Sequence, residues 1–454
     1  MKNSWESKKI LAYGKRFSVF TSIMLVLLFA FSCSNLIMND GGSLIIAVPG
    51  ARAASASSYT IELTGTNGTT QSKTVAGGTT AQFDDLDPDT YNISVKGTNA
   101  DVVVLYGTSS ATVSAGATAS ATVKMGVVAN DLSSLRQAIT AGGTVYIGSD
   151  INVDSTLTVN TDVTLLPAYK NVTLKKTADF DLISVTAGKL TVGGNDYTIT
   201  LDGNSEVYNT STKNLIKVNG AGSTIYLNRN SVVMNNAGTG VSITGANALD
   251  SGKAFGYLNG GTISNNKSGG VGLSSYVEFV MNSGSIENNT YDSRSGAAVN
   301  MSTSNTSFVM KGGTITGNTV TGTTPTNGGA INATAGSSFT MEGGIIINNT
   351  TTGQGKGVYF AGSGSLKIGG SAVIDTSNDV YFSSSYKLSI ISTLTGASTV
   401  ATITPVTYSA GTQVLQAENG VDLAAMVKKF KVTPNGDEEW TIKDDGTLMK
   451  DEGF

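Results

Sequence analysis

The sequence contains no histidine and a single cysteine, Cys33, among its 454 residues. Without histidine the chain cannot build a Ser-His-Asp or Cys-His catalytic unit, a histidine-ligated metal site or a histidine pH switch. One cysteine cannot form a disulfide within the chain, nor a cysteine-rich zinc or iron–sulfur site. Charged residues make up only 14% of the chain, against roughly 25% in ordinary soluble domains. Neutral polar side chains must therefore form most of the surface.

Proline is also scarce, with 6 residues, whereas glycine is abundant, with 55. The two together stay well below the ~25–30% that is typical of low-complexity disorder. Hydrophobic residues account for 39% of the chain, so we expect it to fold. At ~150 residues per domain, the length would allow about three domains.

Residues 1–33 have the pattern of a secretion signal. Basic residues, the last of them Arg16, precede an uncharged stretch over 19–31, which is too short for the ~18–20 apolar residues of a spanning helix. The sequence Ala30-Phe31-Ser32-Cys33 follows, and it resembles a relaxed bacterial lipobox with alanine in place of the usual leucine.

We therefore predict a lipoprotein signal over 1–33, acylation of Cys33, and a linker over 34–42. An ordinary cleavage site near 51–53 and an uncleaved anchor are the alternatives. Residues 1–33 carry five basic residues and one acidic residue, so their removal would leave 24 basic and 32 acidic residues and a net charge of −8. Such a chain would not attract nucleic acid, and the membrane is expected to hold it through acyl chains at Cys33.

The sequence pattern over residues 43–126 predicts a small β-sandwich. Short β-branched segments over 44–48, 59–63, 91–95, 102–106 and 121–125 alternate with turn residues, without helical periodicity. The segment 83–91, with four aspartates, resembles the corner of carboxypeptidase-regulatory-like and related Ig-like modules. Its aspartates could bind calcium, but they are also typical of Asx turns, and we predict no metal or other cofactor.

A short amphipathic helix is predicted over 130–139, behind a capping Asn130 or Asp131. Gly142 and Gly143 end it, and a strand over 144–147 follows. A helix at this position would cover the first exposed edge of a stacked sheet.

Beyond the helix, a degenerate repeat recurs. Its clearest copies run from Phe308 to Asn318 and from Phe339 to Asn349, each with Phe-x-Met, a Gly-Gly pair, and an isoleucine three residues before the final asparagine. The final asparagines are Asn236, Asn266, Asn289, Asn318 and Asn349, and the glycine pairs are Gly260 with Gly261, Gly312 with Gly313, and Gly343 with Gly344.

The repeat predicts a solenoid. Alternating apolar residues would point into a narrow core, and glycine would allow the turns. The asparagines lie 23 to 31 residues apart, so insertions must loop outward from each coil. Stacked asparagines could form a hydrogen-bonded ladder, because an amide both donates and accepts. Generic loop chemistry is the alternative explanation for the Asn-Asn and Gly-Gly pairs.

These units resemble the right-handed parallel β-helix repeats of bacterial surface proteins, including the polymorphic outer-membrane proteins of chlamydiae. The whole arrangement is similar to spirochaetal, treponemal-type surface lipoproteins. The resemblance implies an all-β chain with a small Ig-like sandwich, a right-handed parallel β-helix over 127–410 with short capping helices, and a C-terminal cap over 411–454. Within that cap, Leu423, Met426, Val427 and Phe430 mark one helical face, and Asp445-Gly446 predicts a turn between short strands.

An enzyme acting on polysaccharide is the main functional alternative, since parallel β-helices include pectate lyases and polygalacturonases. Such chemistry needs clustered carboxylates, but residues 221–370 hold only Asp250, Glu278, Glu287, Asp292 and Glu342. The best cluster, Asp292 and Arg294 beside Tyr291, also fits solvated loop charges.

We therefore expect a non-catalytic, lipid-anchored adhesion or display protein at the outer membrane or cell surface. The periplasmic face of the outer membrane is the alternative location. A host matrix protein, a glycan or an envelope component would be its partner. A glycan-binding module using Tyr257 and Tyr291 is the second hypothesis.

Overall fold

The computed structural model describes residues 41–48, 56–247, 252–292, 295–322 and 327–451. About 50% of the residues are in strands and 4% in helices, so the chain is all-β as predicted. It divides into two compact units, one formed by residues up to 101 with 107–125, the other by 102–106 with 126 onward. The predicted signal over 1–33, with Cys33, and most of the predicted linker lie outside the described residues.

The first unit contains two groups of paired strands. In one, β1 (Gly42–Ala47) pairs antiparallel with β4 (Thr80–Leu86) and parallel with β7 (Thr118–Thr122). In the other, β2 (Ser58–Thr64) pairs antiparallel with β3 (Thr70–Ala76) and β5 (Asp89–Asn99). Alternate side chains of β1, β2 and β5 are buried, as expected of sheets that bury one face. Residues 107–113 of β6 (Val102–Val113) also belong to this unit.

The aspartates of segment 83–91 make hydrogen bonds to residues that are distant in the sequence. Asp84 accepts from the hydroxyl of Ser43 at 2.9 Å, and Asp89 accepts from the backbone N and hydroxyl of Thr66 at 2.7 and 2.6 Å. The hydrogen bond from the Thr66 hydroxyl is the main cause of the lowered pKa of Asp89. These contacts tie the segment to other strands of the unit and are not Asx turns.

The second unit begins with β8 (Gly126–Ala129) and helix α1 (Leu132–Ala141). Asp131 caps the helix by accepting from the backbone N of Ser134 at 2.8 Å, and Gly142 ends it with a φ of 77°. Leu135 and Ile139 enter the same hydrophobic core as the following strands. The helix therefore covers the first coil, as the sequence predicts.

From β9 onward, three strand positions recur in each coil and form three stacked parallel faces. Face A comprises β9 (Gly143–Ile147), β12 (Val163–Pro167), β15 (Lys189–Val192), β18 (Thr224–Asn228), the first parts of β21 (Ala254–Ser264) and β23 (Val277–Glu287), β26 (Thr306–Met310), β30 (Ser338–Met341), β34 (Leu366–Ile368), β37 (Leu388–Ile390) and β39 (Leu415–Ala417). Face B comprises β10 (Ile151–Val153), β13 (Val172–Lys176), β16 (Ile199–Asp202), β19 (Ser231–Met234), the second parts of β21 and β23, β27 (Thr314–Thr316), β31 (Ile345–Ile347) and β35 (Val373–Ile374).

Face C comprises β11 (Leu157–Val159), β14 (Ile183–Val185), β17 (Ile216–Val218), β20 (Val241–Thr244), β22 (Val271–Ser274), β25 (Val299–Met301), β29 (Ile331–Thr334), β33 (Val358–Ala361), β36 (Val380–Phe382), β38 (Ala401–Thr404) and β40 (Phe430–Val432). A short fourth column contains β24 (Thr290–Tyr291), β28 (Thr319–Val320) and β32 (Thr350–Thr351). Each strand pairs in parallel with its counterpart in the next coil, a stacking consistent with a parallel β-helix.

Equivalent residues of successive repeats stack on one another inside the coils. Phe279, Phe308 and Phe339 are in register on face A, with ring centroids 5.6 and 5.2 Å apart. Ile286, Ile315 and Ile346 are in register on face B, and all three side chains are fully buried. The repeat read from the sequence is therefore one coil of the core.

The glycine pairs lie where the chain turns from face A to face B. Gly313 and Gly344 have φ angles of 88° and 86°, and Gly260 has 100°, values that L-residues with a side chain rarely adopt. A Cβ at Gly344 would also approach the carbonyl oxygen of Gly313 in the preceding coil to 2.6 Å. Glycine is needed here for both conformation and space.

The coils continue into the segment predicted as a cap. Strands β39 and β40 still pair in parallel with face A and face C, so stacking extends past residue 410. The predicted helical face is wrong at Phe430, because α2 (Leu423–Val427) ends before it and Phe430 begins β40. The antiparallel pair β41 (Trp440–Ile442) and β42 (Leu448–Lys450) follows, joined through the predicted Asp445-Gly446 turn.

Replacing Ile315 with Asp should lower the free energy of unfolding by about 3–5 kcal/mol, because it places an unpaired charge in the core. Thr316→Asp is the matched control, since Thr316 is partly exposed on the same strand. Urea unfolding measures both variants. Equal midpoints would show that Ile315 does not point inward.

Candidate functional site

Six buried asparagines form a column at the turn between face B and face C. The five that the sequence identifies are joined by Asn378, and none is more than 1% exposed. We call this column the asparagine ladder: Asn236, Asn266, Asn289, Asn318, Asn349 and Asn378. Sequence reasoning missed Asn378 because it lies four positions after its buried isoleucine, Ile374, instead of three.

From Asn266 onward, each ladder oxygen accepts from the preceding coil. The backbone N and Nδ2 of Asn289 both donate to Oδ1 of Asn318, at 3.0 Å each. Asn318 repeats the pattern onto Asn349, at 3.0 and 2.9 Å. The Nδ2 of Asn318 also donates to the carbonyl oxygen of Ile286 at 2.9 Å. One side chain thus joins three consecutive coils.

The residue before each of the first five ladder asparagines has a different task. Asn235, Asn265, Asn288 and Asn348 have φ angles of 54° to 57°, and Gly317 has 66°. Asparagine and glycine tolerate this left-handed conformation better than other residues. The Asn-Asn pairs therefore combine a turn residue with a ladder residue, a division that the sequence alone did not reveal.

A buried lysine closes the N-terminal end of the ladder. Asn236 has no ladder asparagine before it, and its Oδ1 instead accepts from Nζ of Lys176 at 3.3 Å. Lys176 is fully buried, and its Nζ also lies 5.7 Å from the ring centroid of Phe180. Because the stacked amides place an oxygen at this end, a cation is favourable there.

The other end of the ladder closes differently. The Nδ2 of Asn378 donates back to the carbonyl oxygen of Asn349 at 2.8 Å and to that of Ser377 at 3.0 Å. Within the described residues, the Asn378 side chain therefore donates to no further asparagine, and the ladder ends there.

Replacing Asn318 with Ala should destabilise the protein by at least about 2 kcal/mol. The change removes the acceptor of Asn289 and the Nδ2 donor to Asn349 and to the carbonyl oxygen of Ile286, and buried unpartnered polar groups cost ~1–3 kcal/mol each. Asn282→Ala is the control, because Asn282 is exposed and its side chain makes one outer hydrogen bond, to Asn259. Thermal and urea unfolding measure both variants. Equal losses of stability would show that the ladder contributes no more than an exposed hydrogen bond does.

The pKa of Lys176 is lowered below 10.5, chiefly by burial. The unfolded chain therefore holds this proton at pH values where the folded chain has begun to release it. Stability should then rise with pH between the folded-state pKa and 10.5, relative to a Lys176→Met variant that cannot titrate.

Urea unfolding of wild type and Lys176→Met at several pH values up to about 10.5 tests this. Lys175→Met is the control, since Lys175 lies next to Lys176 but is only partly buried. A wild-type advantage over Lys176→Met that stays constant with pH would contradict the depressed pKa.

The tyrosines proposed for glycan binding lie in different surroundings. Tyr257 stacks on Tyr226 on the outside of face A, with ring centroids 4.8 Å apart and 9° between planes. The pKa of Tyr257 is raised, mainly because its side chain is partly buried. Tyr291 lies in β24 and bridges to Ser268. Asp292 is exposed, whereas Arg294 and Asp250 fall outside the described residues.

A groove with a volume of about 570 Å³ lies on the outside of face C in the last coils. We call it the terminal groove. Its floor is formed by Asp379, Thr402, Thr404, Lys431 and Thr433. Residues 353–356 and 376–378 line it on one side, and residues 432–434 with Glu439 also contribute.

Strand register places these floor residues in two columns along the coils. Thr402 pairs with Lys431, and Tyr381 pairs with Thr404. Tyr381 in turn stacks on Tyr359, with centroids 5.5 Å apart. The outer aromatic column therefore ends at Thr404, where a small side chain opens the groove.

The carboxylate of Asp379 is already hydrogen-bonded. One oxygen accepts from the backbone N of Lys356 at 2.7 Å, and the other from the Thr404 hydroxyl at 2.6 Å. The Thr404 and Thr433 hydroxyls lie 2.6 Å apart. Because Thr404 donates to the carboxylate, Thr433 must donate to Thr404, which leaves the Thr433 oxygen able to accept.

A second depression, of about 390 Å³, includes Lys367 and Glu418. These two side chains form an ion pair at 3.0 Å. The hydrogen bond from Lys367 is the main cause of the lowered pKa of Glu418. In the terminal groove, by contrast, the side-chain nitrogens of Lys356 and Lys431 make no hydrogen bond or ion pair within the part of the chain that the structure describes.

The described residues contain no group of three or more acidic side chains placed to hold a metal ion. None of their helices is both long and apolar enough to cross a bilayer. Comparison with family models, with curated proteins and with solved structures gives no significant match.

Proposed function

We propose that the protein is a lipid-anchored scaffold at the bacterial cell surface, which presents binding surfaces for adhesion or display and has no catalytic activity of its own. The observation that carries this proposal is the in-register core. Interior residues repeat coil after coil, whereas the outward segments differ in length and sequence. This is the arrangement expected of a rigid support for variable loops.

The proposal includes three finer features. The stacked coils form a right-handed parallel β-helix, since almost all β-strand crossovers are right-handed. The first unit is an Ig-like sandwich, as its two groups of paired strands and alternating burial suggest. Cys33 carries acyl chains that attach the chain to the outer membrane, with the coils facing outward.

The low charge also favours a scaffold over an enzyme. Polysaccharide lyases and glycosidases need paired carboxylates or carboxylate-bound calcium, and the acids of residues 221–370 are few and scattered along the sequence. A net negative chain would not attract nucleic acid. The partner we propose is a host matrix protein, a glycan or another envelope component.

Replacing Cys33 with Ala should move the protein from the detergent phase to the aqueous phase in Triton X-114 partitioning, because the acyl chains would be missing. Urea unfolding of the variant should match wild type, since residue 33 precedes the first strand that the structure describes. Unchanged partitioning would contradict acylation.

Protease added to intact cells tests the surface location. Degradation there supports exposure, whereas cleavage only after lysis would place the protein in the periplasm. Binding of the purified full chain to matrix proteins and to a glycan array tests the adhesive role. Binding to none of them would leave display or structure as its function.

A further inference from the structure

We propose that the terminal groove binds an anionic oligosaccharide, one that carries carboxylate or sulfate groups. This proposal rests on the proposed function as a surface-binding scaffold and gives that scaffold a ligand class. It does not depend on Tyr257 or Tyr291, the residues that the sequence indicated.

The first argument is the state of the two lysines. Lys356 and Lys431 are exposed at the groove, and their side-chain nitrogens have no partner among the described residues. In the neighbouring depression, Lys367 is neutralised by Glu418. The terminal groove therefore combines a concave surface with two lysines available to an external anion.

The second argument is the spacing of the lysines. Gly357, next to Lys356, lies in register with Asp379 of the next coil. In the last coils, Thr402 is in register with Lys431. The strand β38, which carries Thr402, follows β36 directly in the stack. The two lysines are thus about three coil steps apart, or about 14 Å at the backbone. A chain lying along the stack could meet one lysine at each end.

The third argument is the chemistry of the floor between the lysines. Thr402 and Thr433 present hydroxyls, and the Thr433 oxygen is free to accept a hydrogen bond. Asp379, the only acid of the floor, already accepts from a backbone N and from Thr404. The free carboxylate of Glu439 and the amide of Gln354 at the rim can bind further sugar hydroxyls. The volume of about 570 Å³ lies within the usual range for small-molecule sites.

A saccharide fits this groove better than a peptide does. Peptides that bind sheets commonly use an open strand edge. The terminal groove instead lies over the outward side chains of β38, which is paired on both sides, and of β40, which is the edge strand of face C. Hydroxyl-rich, anionic sugars match the free hydroxyls and the two ammonium groups instead.

Isothermal titration of the full chain in detergent tests the proposal. The probes are trigalacturonate, a heparin tetrasaccharide and sialyllactose, with methyl-esterified trigalacturonate as the uncharged counterpart. We expect at least one anionic probe to bind, and its affinity to fall with rising salt. If trigalacturonate is that probe, its methyl ester should bind at least about tenfold more weakly.

Lys356→Ala and Lys431→Ala should each weaken binding about tenfold, and the double variant should abolish it. Lys428→Ala is the control, because it removes the same charge from an exposed position outside the groove. Thermal unfolding of all variants shows whether the fold is kept.

Three results would overturn the proposal. One is binding that Lys428→Ala weakens as much as the groove variants do. Another is equal binding of triglutamate or inorganic phosphate, which would show a general anion or peptide site. The third is no binding of any anionic saccharide, and if matrix proteins still bound, the scaffold function would stand without this ligand.

Discussion

Every amide buried at the turn between faces B and C must find its hydrogen-bond partners in adjacent coils. Burying a polar group without a partner costs more than its hydrogen bond contributes. The ladder meets this requirement with one side chain per coil, and from Asn289 to Asn378 each Oδ1 receives two donors from the coil before it. This locks the register of each coil to the next, and the stacked phenylalanines and isoleucines follow that register.

The sequence revealed this constraint where the repeat is regular. The isoleucine three residues before four of the five asparagines found in the sequence, the glycine pairs and the capping Asp131 were sufficient to predict stacked coils, their core and their first helix. The early coils do not have the repeated asparagine, because Gly203 lies where the next coil has Asn236. Glycine is needed there, since a Cβ at Gly203 would come within 2.7 Å of the Asn236 side chain. Lys176 could not be recognised as a ladder partner, because 60 residues separate it from Asn236.

Two other features escaped sequence reasoning for different physical reasons. Strand β3 has no buried alternation, since almost all of its side chains are exposed, so its pairing depends on β2 and not on its own pattern. The terminal groove combines residues from 353 to 439, which only the stacking of coils brings together. Polar residues in loops of unequal length carry no periodicity that would indicate such a site.

The two closures of the ladder have a consequence for how such a chain can vary in length. A lysine satisfies the first oxygen, and the last amide turns back on its own column, so both terminators lie outside the repeated part. If one whole coil between these ends were duplicated or lost, Lys176 and Asn378 would each still contact a ladder asparagine. Copy number could therefore drift between related genes, while the ends, and the groove beside the final coils, stay as they are.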